Sequence, residues 1–274
     1  MQGVLASGNG ATRAPRRQRS QYAVNWDVYH SPGIDRSYTA TTLTPAETVV
    51  LLKHQPHVAD RAVLDIGVGT GRTAAFLKPL ARRYACLDYS PAMVDRVRRD
   101  YPDADVRLMD MCDLTPWPAS AFDFVFATSN VLDAVCHADR LQVLAQVRRV
   151  LAPDGLFAFS SHNRRYHLAG RGPRLECSRN PVTQLLLAGR YLRCWVNHRR
   201  LQPNRELGEE YALLDDPGHD FALLHYYITR DCQALQLAAA GFQLLDVVDG
   251  RGHALTGNDE DAGSPSLMYV ARRR

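Results

Sequence analysis

A doubly wound α/β fold is predicted, with a parallel sheet covered by helices on both faces. Three observations predict it. Short apolar strands alternate with helix-like segments from residue 61 to residue 161. The strands are apolar on successive positions, as strands buried on both faces are. Three glycines, Gly67, Gly69 and Gly71, fill the turn between the first strand and the next helical segment. Such a turn needs either positive φ or room for a ligand close to the backbone.

Residues 1–20 lack hydrophobic periodicity and are rich in Gly, Ser, Ala and Arg, so they are expected as a disordered tail. Residues 21–57 are expected as a helical cover. They gather Tyr22, Trp26, Tyr29, His30 and Tyr38, then "TPAETVVLLK". In that helix Thr44 is the N-cap, Pro45 the first helical residue and Glu47 the partner in a capping box. The core runs from 58 to 161. It has strands at 61–66, 83–88, 104–109, 122–128 and 156–161 and helices at 70–82, 91–100 and 138–151, with "APDG" as a turn before the fifth strand. Residues 162–229 break the rhythm and are expected as an inserted lid. It holds the helix-like "PVTQLLLAGRYLRCWV" and a hairpin whose arms flank "DDPGHD". Residues 230–274 resume the core with a helix at 230–240, Gly241 as its C-cap, and strands at 242–248 and "SLMYVAR".

Composition narrows the function classes. The chain has 274 residues, 46% of them hydrophobic, which suits one large domain with an insertion. The net charge of +4 is too mild to imply nucleic acid, and much of it lies in "RAPRRQR" and the terminal "RRR". Six cysteines form no CxxC pair, which argues for a reducing compartment and against structural zinc. No long apolar run or signal-like leader is present. The expectation is a cytoplasmic protein without membrane or nucleic-acid partners, with a homodimer allowed and no bound metal.

The glycine turn lies at the carboxyl end of the first strand, where open α/β sheets bind ligands. Two acids extend the pattern. Asp88 ends the second strand, 17 residues after Gly71, and can accept both hydroxyls of a ribose. Asp110 follows the third strand and can accept from an exocyclic amine such as that of adenine. NAD and S-adenosylmethionine both carry adenosine. The dinucleotide fingerprint is G-x-G-x-x-G around a pyrophosphate, whereas this turn is G-x-G-x-G, preceded by Asp65, with only Arg72 as a cation nearby.

The segments "VLDIGVGTGR", "CLDYSPAMV", "MDMCDL", "FDFVFATSNVL" and "VRRVLAPDGLFAFSSHN" resemble the successive motifs of class I S-adenosylmethionine-dependent methyltransferases. The resemblance covers roughly residues 60–163, and "TRDCQALQLAAAGF" is similar to the family's late helix. It implies a Rossmann-like seven-stranded sheet, mostly parallel with an antiparallel last strand, and S-adenosylmethionine as cofactor. It also implies that Asp65, Gly67, Gly69 and Gly71 lie on the methionine side of the cofactor. Asp88 would lie at the ribose and Asp110, Met111 and Met93 at the adenine, with Tyr89 and Ser129 as further cofactor contacts. The stretch "NWDVYHSPGIDRSYTATTL" resembles the N-terminal segment of glycine N-methyltransferase-like enzymes, which would lay Trp26, Tyr29 and Arg36 over the cofactor. "ATSNVL" resembles the same group and places Asn130 near the acceptor, with Tyr22 and His30 as further substrate contacts. Where that group begins the segment after the fifth strand with an acid, this chain has Ser161, so glycine is not expected as the acceptor.

Methyl transfer needs a nucleophile held in line and a dry site. An N or O acceptor can also need a base. The candidates are His162 at the end of the fifth strand and His225 and Tyr227 on the hairpin. Strand alternation puts His225 and Tyr227 on one face and Tyr226 on the other. Arg164 and Arg165 could bind an acidic acceptor or simply be exposed. "DDPGHD" could suggest a metal site, but reads better as a turn with solvated acids. The leading expectation is N- or O-methylation of a small molecule in specialised metabolism, with C-methylation open. An NAD-dependent oxidoreductase and a non-methylating S-adenosylmethionine-binding protein are the alternatives.

Overall fold

Ten strands pair into one sheet in the computed structural model, which describes residues 16–31, 34, 38–257 and 259–274. The strands are β1 (Ala62–Ile66), β2 (Arg83–Asp88), β3 (Asp105–Leu108), β4 (Phe122–Ala127) and β5 (Leu151–Asn163), then β6 (Glu206–Leu207), β7 (Tyr211–Leu214), β8 (His225–Ile228), β9 (Phe242–Asp249) and β10 (Ser266–Arg273). Seven of them form the main sheet in the order β3-β2-β1-β4-β5-β10-β9. The first five are parallel, and β10 is antiparallel to both its neighbours. The Rossmann-like sheet with a reversed last strand is therefore present.

The alternation that predicted a doubly buried sheet is visible along β1 and β4. Val63, Phe124 and Phe126 enter the core on one face, and Leu64, Val125 and Ala127 enter the core on the other. The helices are α1 (Arg16–Tyr29), α2 (Pro45–Lys53), α3 (Ala74–Leu77), α4 (Pro91–Asp100), α5 (His137–Val150), α6 (Pro181–Leu201) and α7 (Arg230–Ala239). The capping box of α2 forms as its sequence requires. The Thr44 hydroxyl accepts the Glu47 N–H at 3.2 Å, and the Glu47 carboxylate accepts the Thr44 N–H at 2.7 Å.

Several boundaries differ. The helix expected over 70–82 shrinks to the four residues of α3, because the glycine turn runs on through Thr73 and a second turn follows Leu77. No long helix N-terminus therefore faces the turn. The fifth strand begins at Leu151, not at 156. The "APDG" segment is a bulge inside β5, with Asp154 at φ 61° and a register shift opposite Phe122 and Phe124. Residues 16–20, expected in the tail, open α1. The earlier part of that tail lies outside the described residues.

The insertion does not sit apart from the sheet. Its hairpin pairs β7 with β8 in the expected antiparallel sense, and a short β6 adds a third strand. β8 then joins β5 in parallel through His162–Tyr227 and Asn163–Ile228, beyond the point where β4 stops. The meander thus extends the sheet at the carboxyl ends of the parallel strands. α1 closes over the same end. Its Asn25 amide donates to the Ala134 and Leu224 carbonyls at 2.8 and 2.9 Å and accepts the Leu224 N–H at 3.1 Å. Among the described residues, no helix is long and apolar enough to cross a membrane.

Candidate functional site

The turn after β1 is held in the left-handed region at all three glycines, with φ of 68°, 56° and 86°. Their reasons differ. A Cβ on Gly67 would collide with Val131, and one on Gly71 would come within 3.1 Å of the Tyr101 ring. At Gly69 no protein atom lies within 4 Å of that position. Its space belongs to a cleft. The Asp88 carboxylate braces the turn by accepting the Gly69 N–H and the Ser90 N–H, each at 2.9 Å. Burial raises the Asp88 pKa above the usual carboxylate range, and these backbone bonds offset only part of that rise.

Two clefts meet at Gly67. One encloses about 500 Å³, solvent mouth included, between Trp26, Asp88, Tyr89, Asp110, Met111 and Val131. Its walls are mostly apolar, and its two carboxylates stand at the ends of adjacent strands. The other is lined by Tyr38, Gly69, Thr70, Arg72, Thr128 and Ser129 and is rich in hydroxyls. The pair suits an elongated ligand with a flat aromatic base and diol at one end and a polar tail at the other. The bare face of Gly69 is the cradle such a tail needs. Arg72 is already engaged: its guanidinium bonds both Glu47 oxygens at 2.6 and 2.7 Å and the Ser129 hydroxyl at 3.1 Å.

Aromatic rings from α1 roof the first cleft. Trp26 stacks on His30 with centroids 3.8 Å apart, and both approach Tyr89. Tyr29 meets Tyr89 and His219 edge-on at 5.7 Å, and the Tyr38 hydroxyl bonds His219 Nε2 at 3.0 Å. The roof therefore ties the N-terminal cover to the turn before β8. Arg36 and the Tyr22 side chain lie outside the described residues.

Two sequence-predicted cofactor contacts stand elsewhere. Asp65 is buried beneath the turn, not on a cleft wall, where one oxygen accepts from Thr73 at 2.6 Å and from Tyr84 at 2.9 Å. Burial pushes its pKa up to about 7 against those bonds. Met93 is buried in α4 and does not line this cleft, so it packs as core.

The carboxyl ends of β4, β5 and β8 form a polar wall. His162, His225 and Tyr227 meet there, with the His162 ring stacked at 4.8 Å on each of the other two. Tyr226 points to the opposite face, where its hydroxyl bonds His137 at 2.8 Å and Gln236 at 3.2 Å. Parity along β8 thus divides the tyrosines as the sequence requires. At the end of β4, Ser129 and Asn130 both take positive φ, 55° and 57°, and the Asn130 N–H donates to the Ser160 hydroxyl at 2.8 Å. This bend brings the Asn130 amide nitrogen to 3.2 Å from His162 Nε2.

Four residues of this wall went unmarked in the sequence. Asp133 is fully buried and accepts from His162 Nδ1 at 2.7 Å and from Arg140 at 2.6 Å. Burial raises its pKa, but Arg140 and His162 outweigh that and hold it below the usual range. Arg140 is equally buried. It stands on the apolar stripe that α5 forms with Val143, Leu144, Val147 and Val150, and a charge in that stripe was the available signal. Asp216 is the third. "DDPGHD" is not a solvated turn, because Asp215 and Asp216 are 1% and 8% exposed. Asp216 accepts from His225 Nδ1 at 2.7 Å, from the Tyr227 hydroxyl at 2.9 Å and from the Gly218 N–H at 2.8 Å. Burial opposes its charge, yet His225 and His162 depress its pKa well below normal. His219, the fourth, joins the roof to this turn. Ligand atoms of His162, Asp216 and His225 lie within 4.8 Å of one another. Arg164 and Arg165 face away, to the Glu209 carbonyl at 3.0 Å and the Asp231 carboxylate at 2.6 Å.

Comparison with known proteins agrees with this geometry. Residues 64–159 match the family described as a methyltransferase domain. A probable S-adenosylmethionine-dependent methyltransferase of Mycolicibacterium smegmatis is 36% identical over 118 residues, 43% of this chain and 44% of that protein. The malonyl-[acyl-carrier protein] O-methyltransferase of Geobacter sulfurreducens is 33% identical over 142 residues, 49% and 51% of the two chains. The matches thus span about half the length of these relatives. Among solved structures, the 1,6-didemethyltoxoflavin-N1-methyltransferase of Burkholderia thailandensis, bound to 1,6-didemethyltoxoflavin and S-adenosylhomocysteine, superposes with a TM-score of 0.58. It shares 16% identity over 97% of this chain and 93% of its own. The CcbJ methyltransferase of Streptomyces caelestis gives 0.53 at 20% identity over 84% and 96%. These structures share the fold.

Proposed function

We propose that this chain, which through residues 64–159 belongs to the class I S-adenosylmethionine-dependent methyltransferases, methylates a small molecule seated against His162, His225 and Tyr227. The observation that carries the reading is the pair of clefts meeting at Gly67, with the open face of Gly69 on one side and Asp88 and Asp110 on the other. Asp88 and Asp110 would hold the ribose and adenine, and Gly69, Thr128 and Ser129 the aminoacyl tail. The bound cofactor supplies an electrophilic sulfonium methyl. The chain's own part is to orient the acceptor, exclude water beneath the α1 roof, and manage the acceptor's proton.

A polar wall of imidazoles and a phenol favours an N or O acceptor over carbon. A role in specialised metabolism and a cytoplasmic location are part of the proposal; the solved 1,6-didemethyltoxoflavin-N1-methyltransferase shares the fold. The NAD alternative is disfavoured by chemistry. A pyrophosphate wants a helix N-terminus or a free cation at the turn, but α3 is four residues long and Arg72 is paired with Glu47.

Calorimetry with S-adenosylmethionine, S-adenosylhomocysteine and NAD tests the reading. Micromolar binding of the first two and none of NAD is expected, followed by S-adenosylhomocysteine formation with a small-molecule acceptor. Binding of NAD alone rejects the proposal. Binding of S-adenosylmethionine without turnover on any small molecule leaves a non-methylating binder.

A further inference from the structure

We propose that His162 Nε2 is the general base of the site, held in that role by a buried Asp133–Arg140 pair, and that the acceptor it serves is a neutral hydroxyl or N–H acid, not a carboxylate. The proposal rests on the methyltransferase reading above.

The first step is the tautomer. Asp133 is completely buried, and every donor around it is accounted for. One oxygen accepts from Arg140 at 2.6 Å and the Ser161 hydroxyl at 2.7 Å; the other accepts from the His162 backbone N–H at 2.6 Å and from Nδ1 at 2.7 Å. An ionised carboxylate only accepts. Nδ1 therefore carries the imidazole proton, and the lone pair of the neutral ring sits on Nε2. Ser161 donates its hydroxyl to this network.

A buried ion pair gains little over apolar packing of the same volume. Arg140 is nevertheless tied down by four side chains, Asp133, Ser161, Gln233 and Gln236, and lies over the Tyr226 ring at 4.6 Å. Asp133 and Arg140 have no exposed side-chain surface, whereas the His162 side chain keeps 15%. Arg140 and Asp133 are positioning residues, and Nε2 is the group that meets substrate.

The second step is the character of the wall. The Asn130 amide nitrogen lies 3.2 Å from Nε2 and must give way to an incoming acceptor, and the other polar groups nearest Nε2 are hydrogen-bond acceptors. Asp216 comes within 3.6 Å of Nε2, and Asn130 Oδ1 is buried with no hydrogen-bond partner. His225 and Tyr227 spend their protons on Asp216. Among the described residues, Arg164 and Arg165 point away, so neither offsets the charge of Asp216 that a carboxylate acceptor would meet. A neutral X–H group can satisfy Asn130 Oδ1, or donate to Nε2 in place of the Asn130 amide. In the reaction the acceptor's proton passes to Nε2, and its lone pair forms the bond to the methyl carbon. The carbon–sulfur bond breaks with its electrons going to sulfur. Methylated acceptor, S-adenosylhomocysteine and an imidazolium on His162 result, so charge and atoms balance.

The test uses the wild-type chain, first shown by calorimetry to bind S-adenosylhomocysteine, with ¹⁵N-labelled histidines. Failure to bind ends the methyltransferase reading and takes the proposal with it, whereas a wrong His162 spectrum in protein that binds ends the proposal alone. In the loaded protein at about pH 8, long-range ¹H–¹⁵N spectra, with His162→Gln for assignment, are expected to show His162 neutral with its proton on Nδ1. Asp133→Asn should lose that assignment. Phenol should shift the Nε2 resonance, and benzoate, the same ring with a carboxylate, should not. A proton on Nε2, a persistent imidazolium, benzoate acting as strongly as phenol, or no response to phenol overturns the proposal. Because the wild-type spectrum decides, misfolding of the Asp133 variant does not rescue it.

Discussion

His162 and Asp133 are joined twice: the backbone N–H and Nδ1 of His162 both reach the same Asp133 oxygen, at 2.6 and 2.7 Å. The carboxylate thus fixes both the end of β5 and the ring it carries. Its other oxygen ties this point to Arg140 on α5, so the pair also joins a helix to the sheet.

Removing one partner of that buried pair strands the other. Asp133→Ala leaves Arg140 charged and buried with only neutral acceptors, at an expected cost of about 3–5 kcal/mol. Replacing both by apolar residues, as in Asp133→Leu with Arg140→Met, should recover most of that stability. Urea unfolding of the two variants checks it. A double variant no more stable than Asp133→Ala would show that the pair does more for the fold than electrostatics implies.

Asp88 has two tasks, and the choice of substitution separates them. Asp88→Asn keeps an acceptor for one of the two backbone N–H groups but removes the charge that would hold the ribose. S-adenosylhomocysteine affinity should fall by about 1–3 kcal/mol, with a lower melting temperature because one turn N–H loses its acceptor. Gly69→Val, at φ 56° and open to the cleft, should abolish binding. Calorimetry on both variants decides, and unchanged affinity in Asp88→Asn removes the ribose assignment.

The cleft was legible because its signals are local. β2 and α4 match their predicted bounds to the residue, since Asp88 closes an apolar run and Pro91 opens a helix. The three glycines and two strand-end acids needed only the order of the elements. α3 was overextended because Thr73, Phe76, Leu77 and Leu80 have helical spacing. Phe76 and Leu80 in fact remain exposed, and the chain satisfies that spacing with turns. The polar wall was half legible: strand parity placed His225 and Tyr227 together, but nothing local joins Asp133 to residue 162. Asp216 was misread for the same reason. Composition marks its loop as solvated, and burial comes from His225 and Tyr227, nine and eleven residues further on.

The Asp216–His225 pair gives stability a pH dependence with a definite sign. Burial lowers the His225 pKa, but Asp216 raises it further, so the net shift is upward. Its contribution is complete below the ordinary imidazole value of about 6.5 and fades as pH rises through the raised folded value. Asp216 is shifted down. Its contribution is complete above the ordinary carboxyl value of about 3.9 and fades as pH falls through the depressed one. The stability gap between wild type and Asp216→Asn should therefore be widest between about pH 4 and pH 6.5. Thermal unfolding should show a gap at least about 3 °C larger at pH 5 than at pH 9. Equal gaps would mean that the pair is not ionised as described.

Despite their spacing, His162, Asp216 and His225 are not expected to hold zinc tightly. A cation would have to displace His225 and Tyr227 from the same Asp216 oxygen. The two imidazoles also stack at 23°, so their in-plane lone pairs run side by side and do not converge. Calorimetry with Zn²⁺ should show no binding that depends on His225. Stoichiometric zinc lost in His225→Ala would make this a metal centre.

The α1 cover offers the last test. α1 is tied to the rest of the chain through Asn25, whose amide makes three hydrogen bonds to Ala134 and Leu224, and through Gln21, which reaches the Leu224 carbonyl at 3.1 Å. Those partners belong to the turn after β4 and the approach to β8, the two segments that carry Asn130 and His225. Asn25→Ala leaves Leu224 with unmet backbone groups, at a cost of about 1–3 kcal/mol. Trp26 and Tyr29 then lose their fixed place over Tyr89. The variant should remain folded, because the two main core clusters contain no residue of α1. Hydrogen exchange in α1 should rise, and S-adenosylhomocysteine affinity should drop about tenfold, the equivalent of ~1.4 kcal/mol. Deleting residues 1–15 should change neither quantity, and deleting 1–38 should reproduce the Asn25 defect. If the longer deletion binds as tightly as the intact chain, the aromatic roof takes no part in holding the ligand.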